Sequence, residues 1–264
     1  MTTQIPPPNS ITFLGTAGAR FMVSKQLTAS GGMWLNLEDT QILVDPGPGS
    51  IVQSTKRKLR AEKLSAIILS HRHLDHSADV NIMVEAMTQG GFRPHGRLFA
   101  PSDALETEPV IYSYLRKFLE GVEVLKEGGS YTVGNVSFAT PIRHIHQSET
   151  YGLLFNAAGR KIAYIADTRY FDSLRKAYAG SDIIIVNVVL LEPKAGLDHL
   201  SVVDAARLIT ELKPKVAILT HYGMHVWQAK PWEIAERLTQ ETGITVRAAY
   251  DGMKFELAQV ECNG

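Results

Sequence analysis

Residues 71–76 read His-Arg-His-Leu-Asp-His and place three imidazoles and one carboxylate within six positions. Imidazole nitrogens and carboxylate oxygens are common ligands of divalent metal ions in proteins. A polar loop that contains histidines by chance is the competing interpretation, and the density of nitrogen and oxygen donors argues against it. These residues therefore predict a metal site.

The backbone that carries this stretch predicts two pairs of ligands. It follows the apolar residues 67–69, and in an extended segment alternate side chains share one face, so His71 and His73 can bind the same ion. From Asp75 onward the apolar pattern becomes helical, with Val80, Met83, Val84 and Met87 at positions i, i+3, i+4 and i+7. Asp75 and His76 then lie at a helix start, turned toward a second ion.

Polar residues also follow several other predicted strands. They are Asp45 after residues 41–44, His144 and His146 after 136–139, Asp167 after 161–165, and His221 after 216–219. Asp45 by itself is typical of turn chemistry, because it opens an Asp-Pro-Gly turn. The repeated position at strand ends predicts that these side chains meet along one edge of the fold.

Composition indicates an ordinary globular chain. Of 264 residues, 45% are hydrophobic and 20% are charged. Lys plus Arg and Asp plus Glu number 27 each, so no global basic field attracts long nucleic acid. The start, with Pro6, Pro7 and Pro8, has no signal-peptide pattern, and no apolar run approaches a membrane span.

Cys262 is the single cysteine, so no intramolecular disulfide can form. A chain without disulfides is expected in a reducing cytoplasm. Any metal is therefore expected to be held by nitrogen and oxygen ligands.

The order of predicted elements favours two similar halves, each with strands followed by covering helices. Residues 33–44 predict a hairpin, 50–63 a basic helix, 111–118 an apolar-faced helix and 183–191 a buried strand. Ser201 with Asp204 predicts a capped helix, and a last helix begins at Pro231. We expect one domain over residues 1–264, with residues 1–10 flexible, folded as a sandwich with helices outside and the site along one edge.

The ordered motifs resemble those of the metallo-β-lactamase superfamily, hydrolases with an αββα sandwich of the α/β (α+β) class. Asp45 matches the first motif of that family and residues 71–76 match the second. His146, followed six positions later by Gly152, fits the third motif better than His144 does. Asp167 and His221 match the fourth and fifth, and the resemblance extends from about residue 11 to 257.

Within the superfamily the chain is most similar to ribonuclease Z and related small phosphodiesterases. The shared mark is His199-Leu-Ser201 at a helix start, ahead of the last metal ligand. Two departures argue against tRNA as the substrate. Only 31 residues separate Asp167 from His199, which leaves no room for the long tRNA-binding arm. After His221 the chain reads Tyr-Gly-Met-His, without the usual arginine-bearing segment.

The resemblance implies a role for each residue of the site. It assigns His71, His73 and His146 to one ion, assigns Asp75, His76 and His221 to the other, and makes Asp167 the bridge. Zinc is the expected ion at both positions, with manganese and iron as alternatives. A hydroxide between the two ions would be the nucleophile.

Three residues are expected to assist this chemistry. Asp75 would also orient the hydroxide, and Asp45 would accept a hydrogen bond from a ligand imidazole. His199 would stabilise the developing charge or protonate the leaving group.

The sequence therefore predicts a cytoplasmic dinuclear metal hydrolase that acts on small cyclic or linear phosphodiesters. The alternative is a lactone or other carboxylic-ester hydrolase on the same site. A tRNA 3′-processing endonuclease and a non-catalytic metal-binding sensor are less favoured. The expected partner is a small molecule, without membrane or long nucleic acid, and the sequence is compatible with a homodimer. His144 and His225 are more typical of local hydrogen bonding than of ligands, which leaves their part in the site open.

Overall fold

The computed structural model describes residues 8–260, which form two mixed sheets packed face to face. The first sheet contains β1 (Ser10–Phe13), β2 (Met33–Leu37), β3 (Thr40–Val44), β4 (Ala66–Ile68), β5 (Arg97–Pro101), β6 (Gly121–Leu125) and β14 (Lys254–Glu256). The second contains β7 (Gly129–Val133), β8 (Val136–Thr140), β9 (Leu153–Ala157), β10 (Arg160–Ile165), β11 (Ile183–Asn187), β12 (Val216–Thr220) and β13 (Thr245–Ala248).

The two sheets have matching topology. Their strand orders are β14-β1-β2-β3-β4-β5-β6 and β13-β12-β11-β10-β9-β8-β7. In the first sheet β3, β4, β5 and β6 are parallel, and the other neighbours are antiparallel. In the second sheet β10, β11, β12 and β13 are parallel, and the rest are antiparallel. The predicted sandwich of two similar halves is therefore confirmed.

Helices cover the outer faces of both sheets. On the first half they are α1 (Ala19–Lys25), α2 (Ser50–Lys56), α3 (Leu74–Ser77), α4 (Val80–Met87) and α5 (Ser113–Arg116). On the second half they are α6 (Ser173–Ala177), α7 (Val202–Leu212), α8 (Met224–Gln228) and α9 (Pro231–Thr242). Among the described residues, no helix is long and apolar enough to cross a membrane.

The central strands have apolar residues in succession because both of their faces are buried. In β4, Ala66 and Ile68 face the core between the sheets, whereas Ile67 packs in the outer core beneath α4. The inter-sheet core also contains an aromatic cluster, in which the ring of Phe138 lies 5.2 Å from that of Phe99 and 5.0 Å from that of Tyr131. These rigid layers fix the strand ends, from which the polar residues emerge.

Several predicted elements are confirmed. The residues of the apolar stripe on α4 are buried, and α9 begins at Pro231 and ends before Gly243, which adopts a left-handed φ of 70°. A capping box joins Ser201 and Asp204: the backbone N–H of Asp204 donates to Oγ of Ser201 over 3.1 Å, and the backbone N–H of Ser201 donates to the Asp204 carboxylate over 2.9 Å.

Other predicted boundaries are wrong. The basic helix ends at Lys56 rather than at 63, because Lys58 adopts a φ of 58° that an α-helix does not allow. The helix predicted over 111–118 is reduced to α5, and Tyr114 is half exposed. The strand predicted over 183–191 ends at Asn187, although the chain stays buried through Val189.

Two expectations concern residues outside the described range. Cys262 lies beyond it. The flexible segment expected over residues 1–10 falls mostly outside the description, but Ser10 already belongs to β1 and pairs with Glu256 of β14.

Candidate metal centre

The first group of histidines consists of His71, His73 and His146. His71 and His73 follow β4 in the first sheet, and His146 follows β8 in the second sheet. Nδ1 of His73 lies 3.1 Å from Nε2 of His71 and 3.1 Å from Nε2 of His146. Three imidazole nitrogens therefore converge on one point, and they belong to the residues that the sequence predicts for the first ion.

Hydrogen bonds on the far side of two of these rings fix their orientation. Nδ1 of His146 lies 2.9 Å from the backbone carbonyl oxygen of Asp198. A carbonyl oxygen only accepts, so Nδ1 carries the proton and Nε2 presents its lone pair to the centre of the group. Nδ1 of His71 lies 3.0 Å from Oγ of Ser70, which leaves Nε2 as its inward atom as well.

The second group consists of Asp75, His76, Asp167 and His221, whose ligand atoms all lie within 4.8 Å of one another. Nε2 of His221 lies 3.4 Å from Oδ2 of Asp75, and Nε2 of His76 lies 3.5 Å from Oδ2 of Asp167. Asp75 and His76 are in α3, which is the predicted helix start. These are the residues that the sequence predicts for the second ion.

Asp167 lies between the two groups. Its Oδ2 atom is 3.9 Å from Nε2 of His71 and 4.0 Å from Nε2 of His146, both in the first group. The same atom is 3.5 Å from Nε2 of His76, and Oδ1 is 3.4 Å from Nδ1 of His221. One carboxylate thus faces ligand atoms of both groups.

Unpaired polar atoms show that the residues fit metal ions. Nε2 of His76 and both ring nitrogens of His221 are buried without a hydrogen-bond partner among residues 8–260. Leaving such atoms unpaired is costly, and a divalent cation bound by Nε2 of His76, one ring nitrogen of His221 and the carboxylates of Asp75 and Asp167 would satisfy one nitrogen of each ring. The donor set suits zinc, and it also suits manganese or iron.

Burial and neighbouring charges shift the pKa values of the histidines in different directions. Burial is the main cause that lowers the pKa of His73 to about 4, and it also lowers the pKa of His71 well below the ordinary histidine value. Burial opposes a charge on His76, but the carboxylates of Asp45, Asp167 and Asp75 outweigh it and raise the pKa of His76 well above 6.5.

The carboxylates shift in the opposite sense. Burial disfavours the charge of Asp167, but the imidazoles of His221, His199 and His76 prevail and lower its pKa well below the usual range. The pKa of Asp75 is lowered in the same way by His76 and His221, against the effect of burial. Both carboxylates are therefore ionised at neutral pH and can act as metal ligands.

The Asp45 carboxylate accepts several hydrogen bonds next to the second group. Its Oδ2 atom lies 2.9 Å from Nδ1 of His76, which points Nε2 of that ring toward the metal position. The backbone N–H of Ser70 donates to Oδ1 over 2.6 Å, and the Ser70 hydroxyl donates to Oδ2 over 2.7 Å. The Tyr164 hydroxyl also donates to Oδ2, over 2.9 Å. This geometry suits the role of imidazole acceptor that the sequence predicts for Asp45.

Two polar residues that contact Asp45 and Asp167 were not predicted from the sequence. The Asn187 amide donates to Oδ1 of Asp167 over 2.8 Å and to the Tyr164 hydroxyl oxygen over 3.2 Å. Asn187 interrupts the apolar run that begins at Ile183, and this interruption was the available signal. Tyr164 gave no such signal, because tyrosine is common in strands.

His199 lies next to both groups. Its Nδ1 atom is buried without a hydrogen-bond partner in the described chain and lies 3.5 Å from Oδ2 of Asp167. Its ring centroid lies 5.1 Å from that of His146, and ligand atoms of His146, Asp167 and His199 form a third group within 4.8 Å. The side chain is 20% exposed, so it reaches from the metal position to the surface.

The remaining histidines of interest lie elsewhere. Nε2 of His144 lies 2.8 Å from the Tyr178 hydroxyl oxygen, and His144 belongs to none of the three groups. His225 is exposed on α8, and His95 is half-buried on the loop before β5. Of the two histidines whose role the sequence left open, neither offers an atom to these groups.

Two glycines allow the backbone to pack closely against ligand residues. A Cβ atom on Gly18 would lie 2.4 Å from Nδ1 of His221, and one on Gly47 would lie 2.0 Å from the backbone oxygen of Asp75. Larger side chains at these positions would displace the ligands. The close backbone approach at Gly18 and Gly47 therefore helps to shape the site.

A clamp of charged groups, formed by Arg72, Asp103 and Glu149, joins the loops of the first group. Nε of Arg72, which lies between His71 and His73, donates to Oδ2 of Asp103 over 2.9 Å. The backbone N–H of Glu149 donates to the same oxygen over 3.0 Å. The loop of His146 is thereby held against the loop of the other two histidines.

The sequence of this chain is similar to those of known proteins. A family model described as "Beta-lactamase superfamily domain" matches residues 40–222. The "Uncharacterized protein MJ1374" of Methanocaldococcus jannaschii is 32% identical over 255 residues, which cover 94% of each chain.

Solved structures share the fold. The metallo-β-lactamase fold protein YhfI from Bacillus subtilis has a TM-score of 0.78 at 22% identity and covers 95% of this chain and 100% of its own. A diphosphatase from the PhnP family gives 0.70 at 20% identity, with 95% and 98% coverage. Human tRNase Z, short form, gives 0.67 at 19% identity, with 94% and 99% coverage. The resemblance read from the motifs is therefore confirmed.

Proposed function

The chain belongs to the metallo-β-lactamase superfamily, whose members are metal-dependent hydrolases, and on this premise we propose that it hydrolyses small phosphodiesters at a dinuclear metal site. The observation that carries the proposal is the position of Asp167 between two groups of ligands, with His199 beside it. When bound, two divalent ions supply a hydroxide nucleophile at neutral pH and polarise the bond under attack.

Each side chain of the site would have a separate role. His71, His73 and His146 would hold one ion, and Asp75, His76 and His221 the other, with Asp167 shared. Asp45 would keep the proton of His76 on Nδ1, so that Nε2 stays available as a ligand. The Asp75 carboxylate, ionised at neutral pH, would accept a hydrogen bond from the attacking nucleophile and orient it.

His199 would act on the leaving group. Its Nδ1 atom faces Asp167, which leaves Nε2 as the atom for proton transfer at the partly exposed end of the ring. Burial lowers the pKa of His199, although Asp167 opposes this effect. The lowered pKa leaves a smaller fraction of the imidazole protonated at neutral pH, but the protonated form is a stronger acid and would donate its proton to the departing alkoxide.

Two further observations support a small diester. Residues 168–198 contain only α6, β11 and connecting loops, so this stretch has no long arm that could bind tRNA. One protein of the same fold is described as a diphosphatase, which acts on a phosphorus–oxygen bond.

The second candidate is a lactone or other carboxylic-ester hydrolase. The same ligand groups would polarise a carbonyl oxygen as well as a phosphoryl oxygen. His199 favours the diester, because His199-Leu-Ser201 is the mark that the chain shares with ribonuclease Z and the small phosphodiesterases. The complete ligand groups argue against a non-catalytic sensor.

A substrate panel on protein of defined metal content tests the proposal. It contains bis-p-nitrophenyl phosphate, 2′,3′-cyclic nucleotides and a series of lactones, and His73→Ala serves as the control for contaminating hydrolases. Hydrolysis of the diesters that depends on added zinc, manganese or iron and is lost in His73→Ala supports the proposal. Lactone turnover without diester turnover would replace it with the second candidate.

A further inference from the structure

Two polar side chains, Tyr164 and Asn187, stand at positions where their strands otherwise carry core residues. Tyr164 in β10 follows Ile162 on the face toward the inter-sheet core, and Asn187 in β11 follows Ile183 and Ile185 on the same face. β10 and β11 are parallel neighbours, so both side chains reach the edge of the sandwich that bears the candidate site. Both are at least 97% buried, and buried polar groups in such positions need partners.

The partners form a continuous chain that begins and ends at proposed metal ligands. The Asn187 amide nitrogen donates to Oδ1 of Asp167 over 2.8 Å and lies 3.2 Å from the Tyr164 hydroxyl oxygen. The Tyr164 hydroxyl donates to Oδ2 of Asp45 over 2.9 Å, and the same oxygen lies 2.9 Å from Nδ1 of His76. Nε2 of His76 lies 3.5 Å from Oδ2 of Asp167, so the contacts close into a ring of five residues, Asp167, Asn187, Tyr164, Asp45 and His76.

We propose that Tyr164, with Asn187, is a positioning residue that ties Asp167 to His76 through Asp45 and so sets the geometry of the second metal site. The proposal rests on the proposed function in requiring an ion at that site. Both residues line the small cavity beside Asp75, His76 and His221. They act through Asp45 on His76, and through the amide on Asp167.

The direction of each hydrogen bond explains why these residue types are needed. Asp45 can only accept, so the tyrosine must donate to it. The tyrosine hydroxyl oxygen remains free to accept from the amide nitrogen, and that nitrogen has a second hydrogen for Asp167. Phenylalanine at 164 would leave Asp45 with one donor fewer and leave one Asn187 hydrogen unpaired in a buried site.

Two other buried tyrosines provide matched controls. The Tyr178 hydroxyl lies 2.8 Å from Nε2 of His144, near the site but outside the ring. The Tyr222 hydroxyl donates to the backbone oxygen of Leu219 over 2.6 Å, directly beside the ligand His221. Tyr178→Phe and Tyr222→Phe each remove a buried hydroxyl of the same kind without breaking the ring.

The experiment is a competition titration of zinc against a chromophoric chelator, with wild type, Tyr164→Phe and the two controls. Loss of a partner behind a metal ligand typically lowers metal affinity by about 10–100-fold. Tyr164 acts one hydrogen bond further back, through Asp45, so we expect Tyr164→Phe to weaken one of the two zinc sites by about tenfold, the lower end of that range, and to leave the other within about threefold. Tyr178→Phe and Tyr222→Phe should leave both sites within about threefold of wild type.

Asn187→Ala extends the test. The Asn187 amide holds Oδ1 of Asp167, the oxygen that faces His221 of the second group, so Asn187→Ala should weaken the same site as Tyr164→Phe. Because both residues act through one chain of hydrogen bonds, Tyr164→Phe should add little to it in the double variant. Additive losses, equal weakening of both sites, or affinities indistinguishable from the controls would overturn the inference. Wild-type protein that binds fewer than two zinc ions would overturn the proposed function and this inference with it. Two tight wild-type sites that Tyr164→Phe leaves unchanged would overturn the inference alone.

Discussion

Nδ1 of His199 lies 3.5 Å from Oδ2 of Asp167, and this nitrogen is buried without a hydrogen-bond partner among the described residues. His199 is the residue proposed for proton transfer, and Asp167 is the carboxylate that faces both groups of candidate ligands. The His199 ring therefore lies against the one carboxylate that both groups face. Its place before the capped α7 fixes its backbone, because Ser201 and Asp204 close the start of that helix.

His199→Ala should lower kcat for a small diester by about 10²–10³, the usual cost of removing one donor to the transition state. KM should stay similar and both ions should remain bound. A nitrophenyl diester should lose less than an alkyl diester, because a leaving group of low pKa needs less protonation. Steady-state kinetics on both substrates, with metal analysis of the variant, measure these outcomes.

Loss of a metal ion in His199→Ala would instead identify His199 as a ligand of the third group, with His146 and Asp167. An unchanged kcat for both leaving groups would remove the main support for a phosphodiesterase and favour the lactonase.

The sequence was sufficient to predict which strand ends carry the polar residues that converge in the structure, because each of these residues lies next to its own apolar strand. It was also sufficient for the α7 cap and for α4, since both depend on residues within one or two helical turns. The ring behind the second group could not be predicted in this way. Tyr164 and Asp45 are 119 positions apart in sequence and meet only because the two sheets pack face to face.

Local backbone conformation explains the wrong boundaries. Lys58 adopts a left-handed φ of 58°, which ends the basic helix early and which sequence patterns do not reveal for lysine. The helix α1 was not predicted, because only Met22 is fully buried within it and no apolar stripe marks it.

His73→Ala should abolish turnover while the fold survives. His73 supplies Nδ1 to the first group, but the sheets and helices around it are held by apolar packing that needs no metal. Far-ultraviolet circular dichroism should match that of wild type, and metal content should fall by about one ion per chain. Loss of secondary structure in this variant would mean that the site is structural rather than catalytic.

Proton release should differ between the two ions. The pKa of His73 is about 4, so this ligand is neutral at pH 7 and loses no proton when its ion binds. The pKa of His76 lies well above 6.5, so His76 carries a proton at pH 7 that its ion must displace. Affinity at the second group should therefore rise about tenfold per pH unit through the neutral range, up to the raised pKa.

Calorimetric titration at pH 7 in buffers of different ionisation enthalpy measures these protons. One ion should release about one proton more than the other. Equal release from both ions would show that His76 is not protonated before its ion binds.

Asp103→Ala should destabilise the fold by about 1–2 kcal/mol, because it breaks charge-assisted hydrogen bonds to Arg72 and to the backbone of Glu149 at a partly exposed position. Asp172→Ala is the control, since Asp172 pairs with Arg207 at the surface and is 90% exposed. Such a solvent-screened pair contributes little to stability. Urea unfolding gives both values, and equal losses would show that the clamp adds nothing beyond a surface ion pair.

The metal content of the wild-type protein tests the central claim most directly. Protein purified without chelator, dialysed against metal-free buffer and analysed by plasma mass spectrometry should hold two divalent ions per chain. Asp167→Ala should lose affinity for both ions, because Asp167 faces both groups of ligands. A wild-type content of one ion or none, after incubation with excess zinc, manganese or iron, would contradict the dinuclear site.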